Sequence, residues 1–150
     1  MIQTPSLPKT RRGFTLVELA VVIVIIGVLA AFGVPKFLNS VERSKASEAV
    51  AYLSAIRTAQ ERFIAKDGIY ADEVKKLDIS VPDPKYFNPV TTIVTTSASG
   101  TPSWSLTLTR AASTSSFGSY TVTFTQDGFD KVNSTIASDA TLQVINPFGS

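Results

Sequence analysis

The sequence has no cysteine and no histidine among its 150 residues. Without cysteine it has no disulfide, although exported domains of this size often use one. Without histidine, a serine or threonine nucleophile lacks its usual base, and no glycine-rich phosphate loop is present. Enzyme activity is therefore not expected. Acids are also scarce late in the chain, where only Asp127, Asp130 and Asp139 follow Asp83. They form no close run of oxygen ligands of the kind a calcium loop needs. Asp127 and Asp130 read as turn residues, and neither a metal nor a cofactor is expected.

What the chain does have is one long apolar run with a carboxylate near its start. From Leu19 to Val34 there are sixteen residues with no charged or polar side chain. Counted from Phe14, the stretch is twenty-one residues long, about 31 Å as a helix at roughly 1.5 Å per residue. That length crosses a hydrocarbon core about 30 Å thick. A carboxylate at the centre of such a helix costs roughly 2.5 kcal/mol or more, so Glu18 is read as functional. A secretory signal peptide has a shorter apolar core, and a plain anchor gives no reason for Glu18. A buried core helix is a poor fit, because a domain of this size rarely hides a helix apolar on every face.

Arg12-Gly13-Phe14-Thr15-Leu16-Val17-Glu18 follows a short basic leader and opens the apolar span. This arrangement resembles the N-terminal signature of type IV pilins and type II secretion pseudopilins, over roughly residues 9 to 67. The resemblance implies that prepilin peptidase cuts between Gly13 and Phe14 and methylates the new amine of Phe14. It also implies that Glu18 of an incoming subunit neutralises the Phe14 amine of a neighbour, and that Pro35 is the family's helix-kinking proline. A cation and a carboxylate at low dielectric attract strongly, and each removes the other's unpaired-charge cost. Glu18 lies one turn from Phe14, so pairing within one chain is the competing reading. The Thr15 hydroxyl adds a hydrogen bond to the assembly site or serves as a local backbone partner.

Lys and Arg number 14 against 12 Asp and Glu, a formal charge of +2. Lys9, Arg11 and Arg12 precede the proposed cut, which leaves 11 basic and 12 acidic side chains after it, a balance of −1. The basic flank argues for a cytoplasmic N-terminus and a translocated remainder. It does not argue for nucleic-acid binding, which is not indicated.

Gly27, Gly33 and Pro35 make the weakest part of the apolar helix by propensity. The resemblance implies that this span unwinds during filament assembly; a static kink with glycines for close packing is the alternative. From Lys36 to Asp67 the pattern turns amphipathic, with Leu38, Val41, Ala49, Leu53, Ile56, Ala59 and Phe63 near a 3.6 period. Glu42 with Lys45, and Arg57 with Glu61, are expected as weak surface pairs of a few tenths of a kcal/mol. Phe14, Phe32, Phe37 and Phe63 read as packing residues rather than an electron path. Gly68 terminates the helix, since glycine takes the left-handed conformation cheaply.

Asp72 to Leu77 is expected to add a helical turn, and Pro82, Pro84 and Pro89 forbid long regular structure after it. Thr91 to Thr96 reads as a strand. Trp104, Leu106 and Leu108 alternate with polar residues, as do Tyr120, Val122 and Phe124, so each set is a half-buried antiparallel strand. The linker Ala111 to Gly118 makes them a hairpin. Asp127-Gly128 is a turn signal that brings Phe129 to Val132 in as a short strand.

The expected fold is α+β: a cleaved leader at 1–13, a transmembrane and filament-core half-helix at 14–35, an amphipathic half-helix at 36–67 and a globular head at 68–150. The resemblance implies a structural subunit that polymerises into a type IV pilus-like filament. It begins as a single-pass inner-membrane precursor among lipid and ends at the cell surface. Copies of itself, prepilin peptidase, an inner-membrane platform protein and an assembly ATPase are the implied partners. A major pseudopilin of a periplasmic pseudopilus is the alternative in the same class, towards which the missing cysteine leans. A membrane-anchored extracytoplasmic binding domain that never polymerises is the alternative of another class.

Overall fold

In the computed structural model, which describes residues 13–96, 101–112 and 115–149, the longest element is helix α1, Leu16–Asp67. The chain divides into two compact units, the first ending at Phe37 and the second beginning at Leu38. In the first unit every described residue is exposed. From Leu19 to Val34 α1 is apolar on all sides and none of it is buried among the described residues, the pattern of a segment meant for lipid or for other helices. The helix is long and apolar enough to cross a membrane by length and composition.

The second unit is built on a four-stranded antiparallel sheet in the order β1-β2-β3-β4. Its strands are β1 (Val94–Thr96), β2 (Ser103–Thr109), β3 (Thr121–Thr125) and β4 (Gly128–Phe129). The register pairs Leu106 with Phe124 and Leu108 with Val122, so the apolar residues of β2 and β3 share one face. Trp104, Leu106, Leu108, Tyr120, Val122 and Phe124 are buried in one cluster with Ala46, Ala49, Leu53, Ile56 and Ala59 of α1. The expected hairpin is present, and Arg110 N–H donates to Tyr120 O at 2.7 Å beside its loop. Within the loop, residues 113 and 114 lie outside the described residues.

The helix ends as the glycine signal foretold, with Gly68 at φ 75° and its N–H on Ile64 O at 2.9 Å. A left-handed residue here satisfies one of the helix's last carbonyls. The next helical turn is a short 3₁₀ segment, Val74–Lys76. Inside α1, Gln60 is fully buried and makes a two-way bond with the Ala71 peptide. Its Nε2 donates to Ala71 O at 2.7 Å, and Ala71 N–H donates to its Oε1 at 2.9 Å.

Several expectations need correction. Glu42 is not a solvated charge but is 3% exposed. Its Oε1 accepts from Arg110 Nε at 2.7 Å and from the Tyr120 hydroxyl at 3.1 Å, while Oε2 meets Lys45 Nζ at 3.1 Å. The Lys45 pair foreseen as a surface contact is thus the outer edge of a buried network. Arg57 does not pair with Glu61; its Nε donates to Gln126 O at 2.9 Å. Peptide carbonyls at the β3–β4 turn offer that guanidinium a fixed acceptor, which a mobile surface carboxylate does not. Leu38 lies outside the buried stripe at 45% exposure.

The first strand is shorter than Thr91 to Thr96, although Thr92 still makes an isolated bridge to Glu73. The last strand ends at Phe129, because the Asp130 carboxylate takes the N–H groups of Val132 and Asn133, both at 3.0 Å. That side-chain-to-backbone turn withdraws those donors from the sheet. Not foreseen was a short helix, α2 (Thr135–Ser138), at the edge of β3 that β4 leaves open, with Ile136 in the main core. Thr123 N–H donates to Ser134 Oγ at 2.9 Å and Thr121 N–H to Thr135 Oγ1 at 2.7 Å. The hydroxyl of the buried Thr123 donates to Asn133 O at 3.0 Å. A second 3₁₀ turn, Gln143–Ile145, follows.

Candidate assembly site

The exposed start of α1 is organised by two of the residues singled out from sequence. Thr15 sits just before the first helical residue, and Glu18 is three positions on. Glu18 Oε2 accepts from Thr15 N–H at 2.8 Å and from the Thr15 hydroxyl at 2.9 Å. In return, Glu18 N–H donates to Thr15 Oγ1 at 3.2 Å. This is a capping box, in which a threonine and a glutamate three residues apart each satisfy a backbone donor that the helix leaves open. The Thr-x-x-Glu spacing was itself a sequence signal for it. Thr15 is thus a local backbone partner, as the blander reading held, and the same bonds tie down one oxygen of Glu18. The other oxygen, Oε1, has no partner among the described residues.

Phe14, immediately before the cap, is 83% exposed. Gly13 is described but has nothing within 4 Å of where a Cβ would stand. Lys9, Arg11 and Arg12 lie outside the described residues. Farther along, Gly27 and Gly33 also meet nothing within 4 Å at the Cβ position, and Pro35 lies inside the helix. Two glycines on an uncovered apolar helix leave notches where another helix can approach closely. The fold therefore brings Thr15 and Glu18 into contact with Phe14 beside them, and places Gly27, Gly33 and Pro35 farther along the same helix.

Residues 8–34 match the family model described as the prokaryotic N-terminal methylation motif. The chain is 49% identical over 61 residues to the type IV major pilin protein PilA of Myxococcus xanthus. It is 43% identical over 56 residues to a fimbrial protein of Pseudomonas aeruginosa. The chain carries a methylation-motif N-terminus, and this segment is similar to that of type IV pilins. The pilin match covers 41% of this chain and 28% of the Myxococcus protein, and 37% and 36% for the Pseudomonas protein. A longer pilin-type match, to the fimbrial protein EcpC of Eikenella corrodens, has 35% identity over 85 residues and covers 56% of each chain. The chain thus spans well under two thirds of these relatives. No solved structure matches it.

Besides Glu42 and Gln60 on α1, sequence reasoning missed a buried charge in the head. Arg110 is fully buried, and its Nη1 also donates to Tyr86 O at 2.8 Å. One signal was available, since Arg110 is the only charged residue between Lys85 and Asp127. A lone charge at the end of an alternating apolar strand needs a buried partner.

Proposed function

We propose that this chain is the precursor of a structural subunit that polymerises into a type IV pilus-like filament. The observation carrying the reading is the first unit of α1, apolar on every face and uncovered, with its one carboxylate at the start. Prepilin peptidase cuts between Gly13 and Phe14 and the Phe14 amine is methylated. The Thr15–Glu18 cap uses no atom of the leader, so it survives that cut. Glu18 Oε1 is then available for the Phe14 amine of a neighbouring subunit, while Oε2 holds the helix start. Gly27, Gly33 and Pro35 supply the weak span that unwinds on packing, because neither glycine is held by a tertiary contact.

The precursor spans the inner membrane once, with lipid around its apolar helix. A platform protein and an assembly ATPase move it into a filament at the cell surface. Intact mass and N-terminal sequencing of the protein from its native membrane test the reading. A start at N-methyl-Phe14 is expected; cleavage near Ala31 or an uncut N-terminus overturns it.

A further inference from the structure

We propose that Glu42 and Gln60 are two pins that fix the register of α1 on the head, so that the helix can leave its seat only by releasing both. They lie eighteen residues apart, which is five turns at about 3.6 residues per turn, hence the same face of the helix, about 27 Å apart along it. Both are buried polar residues, at 3% and 0% exposure. Each bonds to a part of the head remote from the other. Glu42 holds Arg110 and Tyr120 at the hairpin, and Gln60 holds the Ala71 peptide beyond the helix end.

Between the pins the buried stripe is Ala46, Ala49, Tyr52, Leu53, Ile56 and Ala59. Its small and aliphatic contacts are non-directional. Other bonds from this stretch to the head, by the Tyr52 hydroxyl to Asp83 and by Arg57 Nε to Gln126 O, are part-buried or exposed rather than interior. The stripe therefore grades register less sharply than the pins. A slide of one turn, about 5.4 Å, retains much apolar contact but breaks both pins together. It takes the Glu42 carboxylate away from the Arg110 guanidinium, 0% exposed, a charge that keeps the peptide oxygen Tyr86 O. It also parts the Ala71 peptide, 2% exposed, from Gln60. Unpaired buried groups of these kinds are the costliest states available to the interior. The helix is the rigid rod that couples the pins, since one cannot shift axially while the other stays. The lock holds whether or not the chain polymerises; in a filament it would give every head the same seat on its helix.

The test is amide hydrogen exchange, read by mass spectrometry, on the full chain in detergent micelles. Glu42→Leu, Gln60→Leu and the double variant are compared with the parent. Sites this far apart normally act additively. The lock predicts otherwise: either pin alone holds register, and the double variant loses helix protection across residues 46–59 by about tenfold more than the product of the single losses. The peptides of β2 and β3 stay protected. Losses in the double variant that simply multiply overturn the proposal. If that double variant does not fold, Glu42→Met/Arg110→Met combined with Gln60→Leu replaces it, stranding no charge, and the same comparison decides.

Discussion

Arg110 Nε lies 2.7 Å from Glu42 Oε1, with the two side chains 0% and 4% exposed. This contact joins α1 to the end of β2. Breaking such a pair by removing one partner costs about 3–5 kcal/mol, while replacing both with apolar residues of similar size is often neutral. Arg110→Met is therefore expected to destabilise the head by about that amount, and Glu42→Met/Arg110→Met to regain most of it. Denaturant unfolding of the three chains in the same micelles checks this; an equal loss in single and double variants would refute it.

The same network sets the acid limb of stability. Burial of Glu42 is the largest single influence and raises its pKa, but the bonds from Arg110, Lys45 and Tyr120 together outweigh it and hold the carboxyl below its ordinary 4.5. A carboxyl with a lowered folded pKa contributes stability above its unfolded value, and loses it as pH falls through the folded value. Stability is thus expected to fall below about pH 4.3 in the parent, and to fall less steeply in Glu42→Gln. Melting temperatures measured from pH 6 downward, spanning about three units, provide the comparison.

Tyr52 governs part of the alkaline limb. Its hydroxyl donates to Asp83 Oδ1 at 3.2 Å, and burial, with the Asp83 charge second, pushes its pKa up to about 12. A raised pKa means that the stability is whole below the unfolded value near 10 and is lost as pH rises through the folded one. Ultraviolet titration should show phenols still protonated well above pH 10, Tyr120 among them because burial and the Glu42 charge raise it too. Tyr52→Phe should reduce their number by one. That variant should also flatten the decline in stability over the same range.

Under the proposed function Glu18 both caps its helix and pairs with a neighbour's amine, and substitutions can separate the two. Glu18→Gln keeps an oxygen for the Thr15 N–H but removes the charge, whereas Thr15→Val keeps the charge and removes the hydroxyl acceptor. A lost cap costs about 1 kcal/mol. Filament yield counted by electron microscopy is expected to collapse in Glu18→Gln and Glu18→Val and to persist at a reduced level in Thr15→Val. Membrane insertion should be unimpaired in all three, because the Glu18 variants remove a charge from the apolar span, which lowers its insertion cost, and Thr15→Val removes only a hydroxyl. Normal filaments from Glu18→Val would contradict the pairing.

Gly68 holds φ 75° with open space at its Cβ position. Gly68→Ala meets no clash but must adopt the left-handed region, at about 1–2 kcal/mol. Gly68→Asn should lose less, since asparagine visits that region more readily. A chemical-denaturation series across the three residues ranks them directly.

Much was legible before any coordinates. Leu19 to Val34 announces an apolar helix because nothing in it is polar, whereas the Thr15-x-x-Glu18 spacing, which carries its cap, was read only as a local hydroxyl bond. Alternation in Trp104 to Thr109 and Tyr120 to Thr125 yields two strands and the face they bury, since side chains on a strand have a period of two. These are local rules, decided within a few residues of backbone. Glu42 was misread because its neighbours on α1 are charged and its partner is 68 positions away. The helix α2 was missed because its four residues carry no periodic signal, and its place depends on the open N–H groups of β3.

The sequence by itself determined an apolar, uncovered helix with one carboxylate at its start, because hydropathy and helix capping are properties of adjacent residues. Only the tertiary structure decided that Glu42, Arg110, Tyr120 and Gln60 are buried and bonded. Whether a polar side chain is solvated or locked depends on which distant groups the fold brings within 3 Å or so of it, and no local pattern encodes that distance.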